Sequence, residues 1–498
     1  MSVAAPSPPD RTSAALDWLS TEPSGDADLE LASLVRFVDE LHRPEDGGRS
    51  LQQCLELLHR RSLAISGLFR LRLAEATLPL SIGLHRAATR LQEVLGRVAS
   101  AHGDAITETQ FKAGQSLTRN PGTLATRALE LLGEQLTISH LAGNSAPFEF
   151  WSRAHSTFIN SQISGTIDSQ PAYPPEGALK AYKYMMAMAT CQPEGLTGRE
   201  ILWLGQFLER FCDMTSLSPA APQDENELGW FWIDSDQDTP PISVNRRPPP
   251  HVDGLIYFSA AELARQATRW IETLEEQLPP PEPLTAPLGL PEAATLLRRV
   301  REYWATPPQR EHSRRRNQYT VKVCCGLDDI WLMLREQDSE ARNTLCTEWL
   351  VVNESPTGYA IMQVTGSASA LSAGMALALR RSEHEPWTLC VVRWIRTETP
   401  EQIELGLQVI ANSAKPVMVG FRSTTQTRPM RPALVLPPIQ ALGRQQSILA
   451  PAGTYSARRF MLVSDSNRLY IAQGRLLSLD MQTSAVELFQ YEIDPYPR

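Results

Sequence analysis

Four arginines fall within seven residues of this chain, Arg310, Arg314, Arg315 and Arg316, directly before a run of alternating apolar residues. A guanidinium donates paired, charge-assisted hydrogen bonds to phosphate oxygens, and its flat face stacks on aromatic rings such as purines. The cluster therefore suits a ligand that carries both phosphates and purine rings. Downstream, Asn353-Glu354-Ser355-Pro356-Thr357-Gly358 supplies two short polar side chains and a glycine that permits close backbone approach at a strand start.

The elements that must hold these residues follow from periodicity. Beyond Pro308 the pattern has period two, with Tyr319, Val321, Val323 and Cys325 alternating with Thr320, Lys322 and Cys324. Further strands are expected at 347–352, 358–364, 374–379, 387–396 and 404–410, a spacing that fits a small antiparallel barrel. After Lys415 strands are expected at 417–421, 433–436, 459–463, 469–471 and 485–491, forming either a second small β-domain or an extension of the first.

The first half reads as helical. Leu31, Leu34, Val35, Val38 and Leu41 share one face, as do Cys54, Leu55 and Leu58, then Leu84, Ala88, Leu91, Leu95 and Val98, then Leu124, Leu129, Leu132 and Leu136. Helices are also expected over 178–189 and 199–213, with capping boxes at Ser50/Gln53 and Thr197/Glu200. A third box, Ser259/Glu262, opens a helix to about Glu276, and a last helix over 291–304 leads into the arginine cluster. The expected organisation is a tail at 1–28, a helical domain at 29–218, an acidic and proline-rich linker with helices at 219–306, a barrel at 307–412 and a β-rich segment at 413–498. The fold class is α+β multidomain.

Composition narrows the function. Of 498 residues 42% are hydrophobic, enough for several cores, and a net charge of −9 argues against a general nucleic-acid binder. No apolar run reaches about 18 residues and the first residues are not a secretory signal, so a cytoplasmic protein without membrane insertion is expected. Seven cysteines without CxxC spacing suit neither structural zinc nor a disulfide framework. Nine dispersed histidines offer no HxxxH pair, and no GxSxG, GxxxxGK[ST] or GxGxxG segment occurs. Asp234-x-Asp236-x-Asp238 lacks the glycine and terminal glutamate of a calcium loop and reads as a solvated acidic loop. Trp230-Phe231-Trp232 reads as a packing anchor.

Read together, RxxxR (Arg310, Arg314) followed by (D/N)xSxxG (Asn353, Ser355, Gly358) resembles the paired nucleotide-binding signature of PilZ domains, over residues 307–412. Gly374-Met375-Ala376-Leu377, 391–396 and 405–409 are similar to the later barrel strands of that family. The resemblance implies a receptor for cyclic di-GMP, with no catalytic residue, metal or cofactor. Arg310 and Arg314 would contact guanine and phosphate, and Asn353, Ser355 and Gly358 would wrap one guanine. Arg315 or Arg316 can replace Arg314 in register. The chain lacks the residues of enzymes that make or break this nucleotide. The implied role is a bacterial cytoplasmic effector that relays ligand occupancy through its helical region to a protein partner. The competing expectations are a scaffold whose degenerate barrel only docks partners and an enzyme in the helical half. One departure stands out: Arg314 and Asn353 are 39 positions apart (353 − 314), and the excess at 328–342 reads as an inserted helix.

Overall fold

A computed structural model describes residues 11–41, 49–111, 121–163, 176–222, 228–276, 278, 284–286, 288–309, 312–336, 338–363, 370–399, 401–420, 430–438, 445–455, 459–464 and 469–494. Helices α1 (Arg11–Ser20), α2 (Ala27–Leu41), α3 (Arg49–Glu75), α4 (Ile82–Phe111), α5 (Pro121–Leu141), α6 (Phe150–Ile163), α7 (Glu176–Thr190) and α8 (Gly198–Phe211) build the first half. Their apolar stripes meet in one core that includes Leu34, Leu58, Phe69, Leu95, Leu132 and Tyr182. The Thr197/Glu200 box caps α8, with the Thr197 hydroxyl accepting from the Glu200 N–H and the Glu200 carboxylate from the Thr197 N–H. The Ser50/Gln53 side chains lie outside the described residues.

Residues 216–259 hold a four-stranded sheet that the composition had concealed: β1 (Ser216–Ser218), β2 (Trp230–Ile233), β3 (Ile242–Ser243) and β4 (Ile256–Ser259), in the order β1-β4-β2-β3. Phe231 and Phe258 seal it onto the helical core. The acidic stretch beside β2 is not simply solvated. The Asp238 carboxylate accepts the backbone N–H groups of Glu149, Trp151 and Ser152, at 2.7, 2.8 and 3.2 Å, and so caps α6 from 86 or more residues away. Helix N-termini expose such unpaired donors and attract negative charge.

Helix α9 (Ala261–Glu275) follows, one residue later than the Ser259/Glu262 box predicts. Ser259 remains in β4, and Glu262 turns to Arg265 and Arg269 instead of closing a cap. Helix α10 (Leu290–Ala305) ends with Trp304 fully buried, its indole N–H on the Ala187 carbonyl at 3.2 Å. The segment that carries the arginines thus leaves from a fixed point in the helical core.

Two closed six-stranded barrels follow. The first contains β5 (Arg315–Cys325), β6 (Thr347–Ser355), β7 (Gly358–Gln363), β8 (Ala376–Arg380), β9 (Thr388–Thr399) and β10 (Gln402–Ala411), closed in the order β10-β7-β6-β5-β8-β9. Between β5 and β6 stand α11 (Leu327–Arg335) and α12 (Ser339–Thr344), which account for the long spacing between the two motifs. The second barrel contains β11 (Lys415–Gly420), β12 (Arg431–Leu436), β13 (Ser447–Pro451), β14 (Arg459–Ser464), β15 (Tyr470–Gln482) and β16 (Val486–Ile493), closed in the order β11-β12-β13-β16-β15-β14.

The units are joined by backbone as well as side chains. The Thr397 N–H donates to Gly143 O at 2.9 Å and the Leu371 N–H to Leu78 O at 2.8 Å, so the first barrel adds hydrogen bonds directly to helical-domain loops. Helix α11 lies between the barrels: Ile330 and Met333 share a core with Leu434, Leu436, Leu449 and Leu488, and the Trp331 indole donates to Val417 O at 2.7 Å. No described helix is long and apolar enough to cross a membrane.

Candidate functional site

The end of the arginine cluster and the polar turn meet on one ladder. Strand β5 begins with Arg315 and Arg316, and these residues pair with Glu354 and Asn353 near the end of β6. Directly opposed residues of an antiparallel pair have Cα atoms roughly 4.5–5.5 Å apart, so the arginines and the polar turn form one surface. Arg314, Arg315 and Arg316 are all exposed, and Arg314 immediately precedes the ladder. Arg310 lies outside the described residues.

The turn between β6 and β7 is closed by the Ser355 hydroxyl, which donates to Gly358 O at 3.3 Å, leaving Pro356 and Thr357 exposed at its tip. Gly358 has a reason to be glycine that concerns the barrel: a β-carbon there would lie 2.4 Å from the Leu407 carbonyl oxygen of β10. The Asn353 amide oxygen is buried and has no hydrogen-bond partner, although the residue as a whole is only half-buried. Such an acceptor gains from a donor brought to it.

Glu354, the unspecified second position of the signature, proves to be an organiser. Its carboxylate accepts from the Asn317 amide at 2.5 Å and from the Tyr319 hydroxyl. Burial and the Glu354 carboxylate together push the Tyr319 phenol above its ordinary range, so it stays a neutral donor. A further arginine arrives just after β8: the Arg381 guanidinium lies 4.6 Å from the Tyr319 ring centre. Reading the sequence by motif missed Asn317, Tyr319, Glu354 and Arg381. The adjacent pair Arg380-Arg381 was the available signal for the last.

The segment that delivers the arginines is tethered just before them. Arg246, which follows β3, donates from its Nε and an Nη nitrogen to Pro308 O, both at 3.1 Å, and the Gln309 amide donates to Asn245 O at 2.6 Å. Two cavities of about 520 and 420 Å³ lie where helical domain and barrels meet, and none of Arg314, Arg315, Arg316, Asn353, Ser355 and Gly358 lines either. The exposed arginines thus follow a segment anchored to the small sheet. Among the described residues no group of His, Cys, Asp and Glu could hold a metal ion.

Residues 13–223 match a family described as the N-terminal domain of the cyclic-di-GMP receptor FimW, residues 332–416 match its middle PilZ domain, and residues 419–493 match its C-terminal β-barrel domain. The middle match contains Asn353, Ser355 and Gly358 and begins after the arginines. The cyclic-di-GMP receptor FimW of Pseudomonas aeruginosa is 32% identical over 102 residues, which is 20% of this chain and 17% of that protein. The aligned stretch thus spans about a sixth of the curated relative. No solved structure matches.

Proposed function

We propose, since this chain belongs to the PilZ-domain family, that it is a bacterial cytoplasmic effector, a receptor and not an enzyme, that binds cyclic di-GMP on the β5/β6 face. The observation that carries this reading is the register that sets Arg315 and Arg316 against Glu354 and Asn353. Arginines of the first motif supply bidentate donors for phosphate and flat faces for guanine. The Asn353 amide oxygen, unpartnered in the free protein, is an acceptor for the N–H edge of a guanine once its half-buried side chain turns outward. Ser355 and Gly358 fix the turn that would wrap the ring.

Binding would draw the residues around Arg310 and Arg314 onto the barrel. Their upstream neighbours Pro308 and Gln309 are held by Arg246 and Asn245, and α10 is locked in the helical core by Trp304. A ligand bridging this segment and the turn would therefore shift the helical region against the barrel and relay occupancy to a protein partner.

Titration calorimetry with cyclic di-GMP tests the reading. Loss of one charge-assisted contact costs about 1.5–3 kcal/mol and of a neutral one about 0.5–1.5 kcal/mol, so Arg314→Ala and Arg315→Ala should each weaken binding by roughly ten- to a hundredfold and Asn353→Ala by roughly two- to tenfold. Binding by the unaltered chain that all these variants match would remove the site from this face. No heat from the unaltered chain would favour the scaffold reading, which one observation supports: Glu354 sets a carboxylate among the arginines and already engages Asn317 and Tyr319.

A further inference from the structure

Of the seven cysteines six are buried, and Cys346 alone is partly exposed. It ends the connection from α12 and enters β6, where Thr347 pairs with Val323. Continuing that register by one residue sets Cys346 against Cys324 of β5. Both side chains face the same core, which Cys324 helps to form and against which Cys346 packs. Cys346 is further fixed by the Arg342 carbonyl at 3.3 Å and the Met333 sulfur at 3.7 Å. Cys324 is fully buried in the core that joins the two barrels, and Cys346 packs on the edge of that core.

We propose that Cys346 and Cys324 form an oxidation-sensitive thiol pair, with Cys346 the site attacked by a peroxide and Cys324 the thiol that resolves it into a disulfide. The division of labour follows from position. Cys346 meets solvent and is flanked by the cations Arg380 and Lys322; the Cys324 S–H, with those charges, holds its thiol below the ordinary range. Sharing that proton, with burial, raises Cys324 well above it. A partly exposed, low-pKa cysteine beside a second thiol is the arrangement that oxidises selectively.

In the first step the Cys346 thiolate sulfur bonds to one oxygen of hydrogen peroxide, the O–O bond breaks, and hydroxide leaves as water with the Cys346 proton. Cys346 is then a sulfenic acid, and the peroxide has taken two electrons. In the second step the Cys324 sulfur attacks Cys346, the S–O bond breaks and a second water leaves with the Cys324 proton. Antiparallel neighbours have Cα separations of roughly 4.5–5.5 Å, within the roughly 4.4–6.8 Å that a disulfide spans. The bond would close a ring around α11 and α12, the first of which packs against the second barrel.

The test uses the full chain, treated with hydrogen peroxide, alkylated and digested with trypsin. Cleavage after Lys322, Arg335, Arg342 and Arg380 places Cys324 and Cys325 in peptide 323–335 and Cys346 in peptide 343–380. The expected product is these two peptides joined and separated again by dithiothreitol, with two of the seven thiols lost to titration. Cys346→Ser and Cys324→Ser should each abolish the joined species, and Cys325→Ser should leave it at full yield. A joined species that survives Cys324→Ser, or oxidation of Cys346 to sulfinic acid without any joined peptide, overturns the proposal. Because Cys325→Ser alters a neighbouring buried position of the same strand, its normal yield separates loss of chemistry from loss of fold.

Discussion

Gly358 lies so close to Leu407 that a β-carbon on it would stand 2.4 Å from the Leu407 carbonyl oxygen. Strand β7 pairs with β10 at this end of the barrel, Gly358 opposite Gln408, so neither backbone can retreat without breaking ladder hydrogen bonds. Overpacking of this kind typically costs about 1–3 kcal/mol. Gly358→Ala should lower the melting temperature and weaken cyclic di-GMP binding although no arginine is touched. An unchanged melting temperature would show that β7 and β10 separate freely here.

The Asp238 cap predicts a remote effect on α6. Replacing a capping carboxylate by alanine costs about 0.5–2 kcal/mol, whereas asparagine caps about as well as aspartate. Asp238→Ala should therefore destabilise the helical region by about that amount in denaturant titration, whereas Asp238→Asn, which keeps one oxygen for Trp151 and Ser152 but sets an NH2 against the Glu149 N–H, should recover only part of it. Equal losses in the two variants would mean that the three N–H contacts contribute little and that the acidic loop matters for its charge alone.

Trp331 links the barrels through its indole N–H on Val417 O and carries Arg335 stacked at 4.4 Å. Trp331→Phe keeps the ring and loses the donor, a change of about 1 kcal/mol. Trp331→Ala also removes packing against the second barrel, and the loss should reach about 2–4 kcal/mol. Limited proteolysis is the direct readout: the alanine variant should be cut within 415–493 faster than elsewhere. Uniform sensitivity along the chain would show that α11 does not hold the second barrel in place.

How much of this was legible in the sequence depends on range. The turn from Asn353 to Gly358 and the alternation through Val321 and Val323 are local, and they located the motif-bearing strands directly. The 39-residue separation also announced its cause, since α11 and α12 occupy the excess. Strand β13 went unread because Ser447, Ile448, Leu449 and Ala450 are all buried, and burial on both faces erases the period-two signal. Helix α6 was missed as well, its first turn being capped by Asp238 from a distant loop rather than by a neighbouring residue. Arg381 and Tyr319 meet only when β8 and β5 pair, and no spacing rule reaches across that gap. The small sheet was hidden by its acidic and proline-rich surroundings, although Trp230-Phe231-Trp232 marked its centre.

The helical core predicts a defined loss of stability in mild acid, through His102. This ring is 1% exposed, and its Nδ1 donates to Val98 O at 2.8 Å. Burial pulls its pKa from 6.5 down to about 4; His59 and Arg127 push the same way, while Val98 and Glu56 oppose. A histidine whose folded pKa lies below its unfolded value contributes stability that is complete above about pH 6.5 and is lost as pH falls toward 4, because the unfolded chain takes up the proton first. The span corresponds to about 3 kcal/mol at most. His155 and His140 are shifted in the same direction by burial, whereas the buried Glu134 carboxyl is raised and acts in the opposite sense. The informative quantity is therefore a difference. Unfolding free energies of the unaltered chain and of His102→Gln, measured in denaturant from pH 7.5 to 4, should approach one another as pH falls, by about 2–3 kcal/mol. A pH-independent gap between the unaltered chain and His102→Gln would mean that water or a shifted Glu56 reaches the ring and lets it charge inside the folded protein.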